Sequence, residues 1–243
     1  MNVTLIIPAR YKSSRFPGKP LAKILGKEMI LRVLEICNKL LNRKNIFVAT
    51  DNDKIKKFVK SKNFNVIMTS KNCRTGTDRV AEATKKIKSK IIINVQGDEP
   101  NINHNDIKKV ISAKKKFPNH VICGYTPITK YENPNNINLP KVAINKKSDL
   151  VYISRLPVPG LKNTKDTLKY YKQVCIYGFN KKQLLQFKKF GKRRSRLESS
   201  EDIEILRFFE LNIPIKMIRL SSSSIAVDVK SDIKKLEKYL KKR

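Results

Sequence analysis

The feature that most constrains this chain is a recurrence of short apolar runs separated by segments of helical period. Residues 3–7 (Val-Thr-Leu-Ile-Ile) and 91–95 (Ile-Ile-Ile-Asn-Val) are nearly unbroken apolar runs of strand length. A strand with one wet face alternates apolar and polar residues, whereas an unbroken run belongs to a strand covered on both faces. Between these runs, Ile30, Val33, Leu34, Cys37, Leu40 and Leu41 recur at helical spacing. Residues 46–50 read as the next strand, ending at Asp51-Asn52-Asp53, a helix-start signal. A strand over 66–69 and a helix over 78–87 follow. This alternation predicts an α/β fold: a three-layer sandwich around a Rossmann-like, mostly parallel sheet. Ligands in such folds bind outside the carboxyl ends of the strands.

The second half is less regular. Residues 121–128, 142–145, 150–154 and 174–179 read as strands, with a loop rich in Pro and Lys over 157–167. This stretch, about 121–180, reads as a sheet extension or dimerisation lobe on a single domain over 1–243. Helices are expected over 200–211 and 231–241, with strands at 215–220 and 225–228 between them. No apolar run approaches the roughly 20 residues that cross a bilayer. The N-terminal residues are too few and too uncharged for a signal peptide, so a soluble, cytoplasmic protein without membrane insertion is expected.

The charge admits two readings. Lys and Arg number 54 against 20 Asp and Glu, a formal +34, which could serve a nucleic-acid binder. The lysines are spread over the whole chain, however, and runs such as Lys114-Lys115-Lys116 lack interleaved aromatics for base stacking. Lys, Asn and Ile are abundant together, as an AT-rich genome produces at neutral surface positions. The expectation is no specific nucleic-acid partner, with the charge helping to attract an anionic substrate. Four scattered cysteines and two histidines leave no zinc-type spacing and no histidine triad, so buried free thiols are expected.

Three polar clusters follow strand ends. The first, directly after residues 3–7, holds Pro8, Ala9, Arg10, Arg15 and Lys19 among the small residues Ser13, Ser14 and Gly18. Small residues let backbone N–H groups approach an anion, and three cations can surround a triphosphate. It is not a Walker A loop, because the glycine spacing is wrong and Pro20 stands where Ser or Thr would hold Mg²⁺. The second is Arg74-Thr75-Gly76-Thr77-Asp78-Arg79, where Gly76 permits close contact with a flat base and Asp78 could cap the next helix. The third is Gln96-Gly97-Asp98-Glu99-Pro100. A carboxylate at the tip of the most buried strand is costly unless it serves a cation. Mg²⁺ takes one or two carboxylates plus substrate phosphates, which makes Asp98 a metal candidate. Asp228 is its candidate partner, with a helix N-cap as the alternative role.

The strings IPARYKSSRFPGKPLA (7–22), GTDRVAEA (76–83), NVQGDEP (94–100) and YISRLPVP (152–159) together resemble the CMP-Kdo synthetase family, the 3-deoxy-manno-octulosonate cytidylyltransferases. Residues 197–207 resemble that family's LE-x-x-E-x-LE-x-LR helix. The resemblance implies a nucleotidyltransferase that joins CTP to a 3-deoxy-ulosonic acid, most simply Kdo, for lipopolysaccharide synthesis. It implies that Arg10, Arg15 and Lys19 bind the CTP phosphates, and that Thr75, Gly76 and Arg79 belong to the cytidine pocket. Asp98 and Asp228 would hold Mg²⁺, with Arg10, Lys19 and Asp98 as the catalytic set. Gln96, Arg155, Tyr177, Glu198 and Glu201 would line the sugar-acid site of a homodimer. Two positions depart from the pattern. Gln173 stands where the family's H-x-G-x-Y motif has histidine, and Ile205 replaces a glutamine. Both lie on the sugar side, which keeps a modified acid such as 8-amino-Kdo open as the substrate. A non-catalytic basic binding protein is the remaining rival, and every expected metal and phosphate position is filled against it.

Overall fold

The computed structural model describes residues 2–13, 15–163, 168–190, 195–221 and 224–242. Strand β1 (Val3–Ala9) is buried at all seven positions. It pairs in parallel with β4 (Ile46–Thr50) on one side and with β6 (Ile91–Val95) on the other. Strand β5 (Asn65–Met68) extends the sheet in parallel beyond β4. Past β6, β10 (Tyr171–Asn180) runs antiparallel to both β6 and β7 (Val121–Pro127), and β11 (Ile215–Arg219) is parallel to β7. The order is therefore β5-β4-β1-β6-β10-β7-β11. Strand β8 (Lys141–Ile144) branches from β10 and carries β9 (Leu150–Ser154). A small hairpin of β2 (Lys23–Ile24) and β3 (Lys27–Glu28) stands apart.

Both faces of β1 are apolar because both are covered. Leu5 and Ile7 pack with Val33 of α1 (Met29–Asn38), Val59 of α2 (Asp53–Ser61) and Val110 of α4 (His104–Lys116). Ile6 joins the opposite layer with Val80 of α3 (Gly76–Ala83), Leu184 of α5 (Lys181–Lys189) and Phe208 of α7 (Leu206–Glu210). The helix starts obey local chemistry. Asn52 Oδ1 accepts from the amides of Lys54 and Ile55 to open α2, and Thr75 with Asp78 forms a capping box on α3. Asp78 thus occupies the third helical position of that box, and Thr75 is the N-cap.

Two expected elements differ. The chain over 200–211 is not one helix but α6 (Arg196–Glu201) and α7, because Asp202 adopts a left-handed φ of 49° and ends the ladder. The apolar run 225–228 is not a strand. Its Val227 amide donates to Asp98 O at 2.9 Å, and its side chain packs with Phe16, Met29 and Leu236 of α8 (Lys230–Leu240). Helices α4 and α5 have only a weak apolar period in the sequence. Only a narrow stripe of each faces the core, such as Ile107, Val110 and Ala113 of α4. Residues 164–167, the end of the Pro- and Lys-rich loop, lie outside the described residues.

Candidate active site

The chain leaves β1 toward β4 and β5, then returns to place β6 on the other flank of β1. At this reversal, outside the carboxyl ends of β1 and β6, a cleft of about 1250 Å³ opens. Pro8 and Ala9 end β1 at its floor, and Arg10, Ser13, Arg15 and Lys19 line the loop that follows. Gly18 turns that loop with a left-handed φ of 72°, a conformation that costs other residues a clash. Its amide donates to Tyr11 O at 2.8 Å, closing the loop. Ser14 lies outside the described residues.

The decisive geometry is at Lys19. Its Nζ sits 2.7 Å from Asp98 Oδ2 and 3.8 Å from Asp228 Oδ1, and it donates to Val227 O at 2.8 Å. Arg15 Nη2 lies 3.1 Å from Asp228 Oδ1. Two carboxylates 130 positions apart in the chain therefore converge on one ammonium. Asp228 is not the cap of α8. The N-cap position is Val229, and Asp232 at the third helical position reaches back, its Oδ2 accepting from the Asp228 and Val229 amides at 3.0 Å. A pair of carboxylates gathered around a cation is a hard oxygen donor set of the kind Mg²⁺ uses alongside substrate phosphates. Among the described residues no group of three or more His, Cys, Asp or Glu is assembled for a metal.

Gly76 and Gly97 hold the next wall. A Cβ on Gly76 would meet Gln96 Oε1 at 3.3 Å, and one on Gly97 would meet Pro8 O at 3.0 Å. The missing side chains thus let the ends of β1 and β6 and the start of α3 close up around Pro8 and Gln96. Thr75, Gly76 and Arg79 all line the cleft. The Arg79 guanidinium is nevertheless already engaged, donating to Thr69 Oγ1 at 2.5 Å and to Asp51 Oδ2 at 3.1 Å. It ties α3 to the ends of β4 and β5 and so positions that wall of the cleft.

The expected sugar-side residues divide. Gln96, Arg155 and Gln173 line the cleft. Arg155 is braced by α6: its Nε donates to Glu201 O at 2.5 Å, and its amide donates to Glu201 Oε2 at 2.8 Å. Glu201 is thus a support for Arg155 and does not itself line the cleft. Glu198 adjoins a recess of about 280 Å³ beside Arg10 and Gly76, yet it is buried and held by Arg207 Nε and Nη2, both at 2.7 Å. Arg207 also donates to Asp78 Oδ1 at 2.6 Å and stacks on Phe187 at 3.7 Å. Glu198 therefore serves a buried network that reaches the capping box of α3. Tyr177 requires a correction. It is only 2% exposed, packs in the α3/α5/α7 core layer and is not on the cleft wall. Its hydroxyl accepts from Gln173 Nε2 at 3.1 Å, so it orients the residue that does face the cleft. Burial raises the Tyr177 pKa well above the usual phenol value.

Sequence reasoning missed several lining residues. Glu99 is buried beside Asp98, accepts from Ser224 Oγ at 2.6 Å, and is pushed up to about pKa 7 by burial and then by the neighbouring Asp98 charge. Its signal was the acidic pair after β6. Glu204 accepts from the Thr77 amide at 3.0 Å in the recess, and burial raises its pKa. The four cysteines are free, but only Cys37 and Cys123 are fully buried, and desolvation pushes both to about 12. Cys73 and Cys175 are half-buried and line the cleft, contrary to the expectation of uniformly buried thiols. Cys73 is raised to about 11 by burial and Glu82, which leaves it a weak nucleophile.

A family model described as cytidylyltransferase matches residues 4–218. The chain belongs to the cytidylyltransferase family. An 8-amino-3,8-dideoxy-manno-octulosonate cytidylyltransferase of Shewanella baltica is 38% identical over 246 residues, covering 99% of each chain. A 3-deoxy-manno-octulosonate cytidylyltransferase of Christiangramia forsetii is 34% identical, covering 98% of this chain and 97% of that one. Among solved structures, a CMP:2-keto-3-deoxy-manno-octonic acid synthetase complexed with CTP superposes with a TM-score of 0.92 at 31% identity, over 100% of this chain and 99% of the other. The three-layer fold with its mostly parallel sheet is thus that of a cytidylyltransferase.

Proposed function

We propose that this chain transfers CMP from CTP to a 3-deoxy-octulosonic acid, Kdo in the first instance, and releases pyrophosphate. The observation that carries this reading is the convergence of Lys19, Asp98 and Asp228 beside Arg10 and Arg15, at the end of β1 and β6, in a cytidylyltransferase. Arg10, Arg15 and Lys19 bind the triphosphate, and the glycine-floored wall at Thr75 and Gly76 takes the base. Arg155, Gln96 and Gln173 face the sugar acid. The anomeric oxygen of the sugar forms the new bond to the α-phosphorus as the bond to the β-phosphate oxygen breaks, and the hydroxyl proton leaves to solvent. Arg10 and Lys19 stabilise charge that grows on the transferred and leaving phosphates, which is where fixed cations accelerate phosphoryl transfer most. Asp98 and Asp228 would hold Mg²⁺, which would supply neutralisation of phosphate charge there.

A second reading has the 8-amino acid as substrate. Gln173 in place of the family histidine, together with the named activity of the Shewanella baltica relative, favours it. The assembly follows the family: a homodimer through the lobe over about 121–180, working in the cytoplasm to supply lipopolysaccharide synthesis. Among the described residues no helix is long and apolar enough to cross a membrane. Pyrophosphate release from CTP, measured with Kdo, with its 8-amino analogue and with no sugar, tests the assignment. Release that depends on one of the two acids supports it, and release indifferent to both sinks it.

A further inference from the structure

The segment carrying Asp228 forms neither helix nor strand over residues 224–229. Its amides have no ladder to join, so whatever accepts from them sets where Asp228 stands. Asp232 Oδ2 on α8 takes the Asp228 and Val229 amides, both at 3.0 Å, and the acceptors upstream of Asp228 lie in the turn that follows β6. The Ile225 amide donates to Asn101 Oδ1 at 2.8 Å, and the Val227 amide donates to Asp98 O at 2.9 Å. Ser224 Oγ donates to Glu99 Oε2 at 2.6 Å. Successive contacts from 224, 225 and 227 thus fasten onto 99, 101 and 98, across some 125 positions of chain. The seam is closed from below by Val227, which is fully buried against Phe16, Met29 and Leu236. Nothing in this seam requires a metal, and Glu99 is buried where a carboxylate with no role would be costly.

We propose that Glu99 and Asn101 are positioning residues that act through Ser224 and the Ile225 amide to fix Asp228 opposite Asp98 before any metal binds. The proposal rests on the reading of Asp98 and Asp228 as the magnesium pair. Its consequence is a preorganised carboxylate pair: the seam sets the separation of the two groups, so metal affinity depends on a hydrogen bond remote from the metal. The test uses Mn²⁺ titrated into the full chain, read by loss of the free-ion EPR signal, alongside the Mg²⁺ concentration giving half-maximal turnover. Glu99→Ala and Ser224→Ala are each expected to weaken Mn²⁺ binding and raise the half-saturating Mg²⁺ about tenfold. Glu99→Gln still accepts from Ser224 and should stay within threefold of the parent. A purely structural role would lower Tm and leave Mn²⁺ affinity of the folded protein unchanged. Unchanged affinity in Ser224→Ala, a small and half-buried change that should fold, overturns the proposal even if Glu99→Ala does not fold. Asp98→Ala and Asp228→Ala separate the two levels. Parental Mn²⁺ affinity in either would remove the magnesium pair itself and the proposal with it. Lost affinity there with none lost in the Glu99 and Ser224 variants would overturn the proposal alone.

Discussion

Gln173 lies where the cleft wall meets the buried Tyr177. Its Nε2 donates to the buried Tyr177 hydroxyl at 3.1 Å and reaches Cys123 Sγ at 3.7 Å, while its side chain also lines the cleft. A histidine there could carry a positive charge toward the sugar's carboxylate near neutral pH, which glutamine cannot do. A hydrogen bond to a charged group is worth roughly 1.5–3 kcal/mol, or about tenfold and more in a rate ratio. Gln173→His is therefore expected to move kcat/KM for Kdo relative to its 8-amino analogue by at least tenfold. The check is both ratios measured in both proteins. An unchanged ratio would mean that glutamine here only replaces a histidine's hydrogen bond.

At the scale of elements, the walls of the cleft are held by buried charge. Arg207 on α7 joins Glu198 on α6 to Asp78 on α3, and all three side chains are largely shielded from water. Removing one partner strands the others, which typically costs about 3–5 kcal/mol. Arg207→Met should lose stability on that order in urea unfolding, and a loss under 1 kcal/mol would contradict the role given to this network. A second buried cation predicts pH dependence. Burial pulls Lys114 of α4 from its ordinary 10.5 down to about 7, although Pro118 O, His120 O and Gln183 Oε1 all accept from its Nζ. Between those values the unfolded chain keeps a proton that the folded chain has released, so stability rises with pH across that window. The ceiling is about 1.4 kcal/mol per pH unit, and the three acceptors reduce it. The Tm of the parent should gain on that of Lys114→Met between pH 6.5 and 9.5, and a constant difference would refute it. These elements also show what sequence could and could not supply. Strands β1, β4 and β6 were legible because both faces are apolar, and a run of that kind admits few alternatives. The polar tips that follow them were legible for the same reason, since a charge at a buried strand end needs a partner. The break at Asp202 was not, because the left-handed turn that splits α6 from α7 carries an aspartate and no glycine. The apolar run 225–228 was misread because its period fits a strand, while its Ile225 and Val227 amides are claimed by a turn some 125 positions earlier and its Asp228 amide by Asp232. Tyr177 was misplaced because motif spacing fixes its strand but not which face of the sheet it occupies.

For the whole molecule, the +34 charge remains to be placed against function. Helix α2 alone carries Lys54, Lys56, Lys57 and Lys60 against Asp53, on the outer face of a helix whose Ile55 and Val59 are buried. Lysines distributed this way make a broad positive field that favours approach of a triphosphate. Duplex DNA should bind weakly, without sequence preference and with a steep salt slope. Tight binding at physiological salt would contradict this reading. The cleft itself makes the stronger commitment. The most direct test is to incubate the chain with CTP, Mg²⁺ and Kdo or 8-amino-Kdo, and to follow phosphorus by NMR. Equal amounts of pyrophosphate and a CMP–sugar phosphodiester are expected, with neither formed by Asp98→Ala or Asp228→Ala. No phosphodiester with either acid, or undiminished product from either variant, would contradict it.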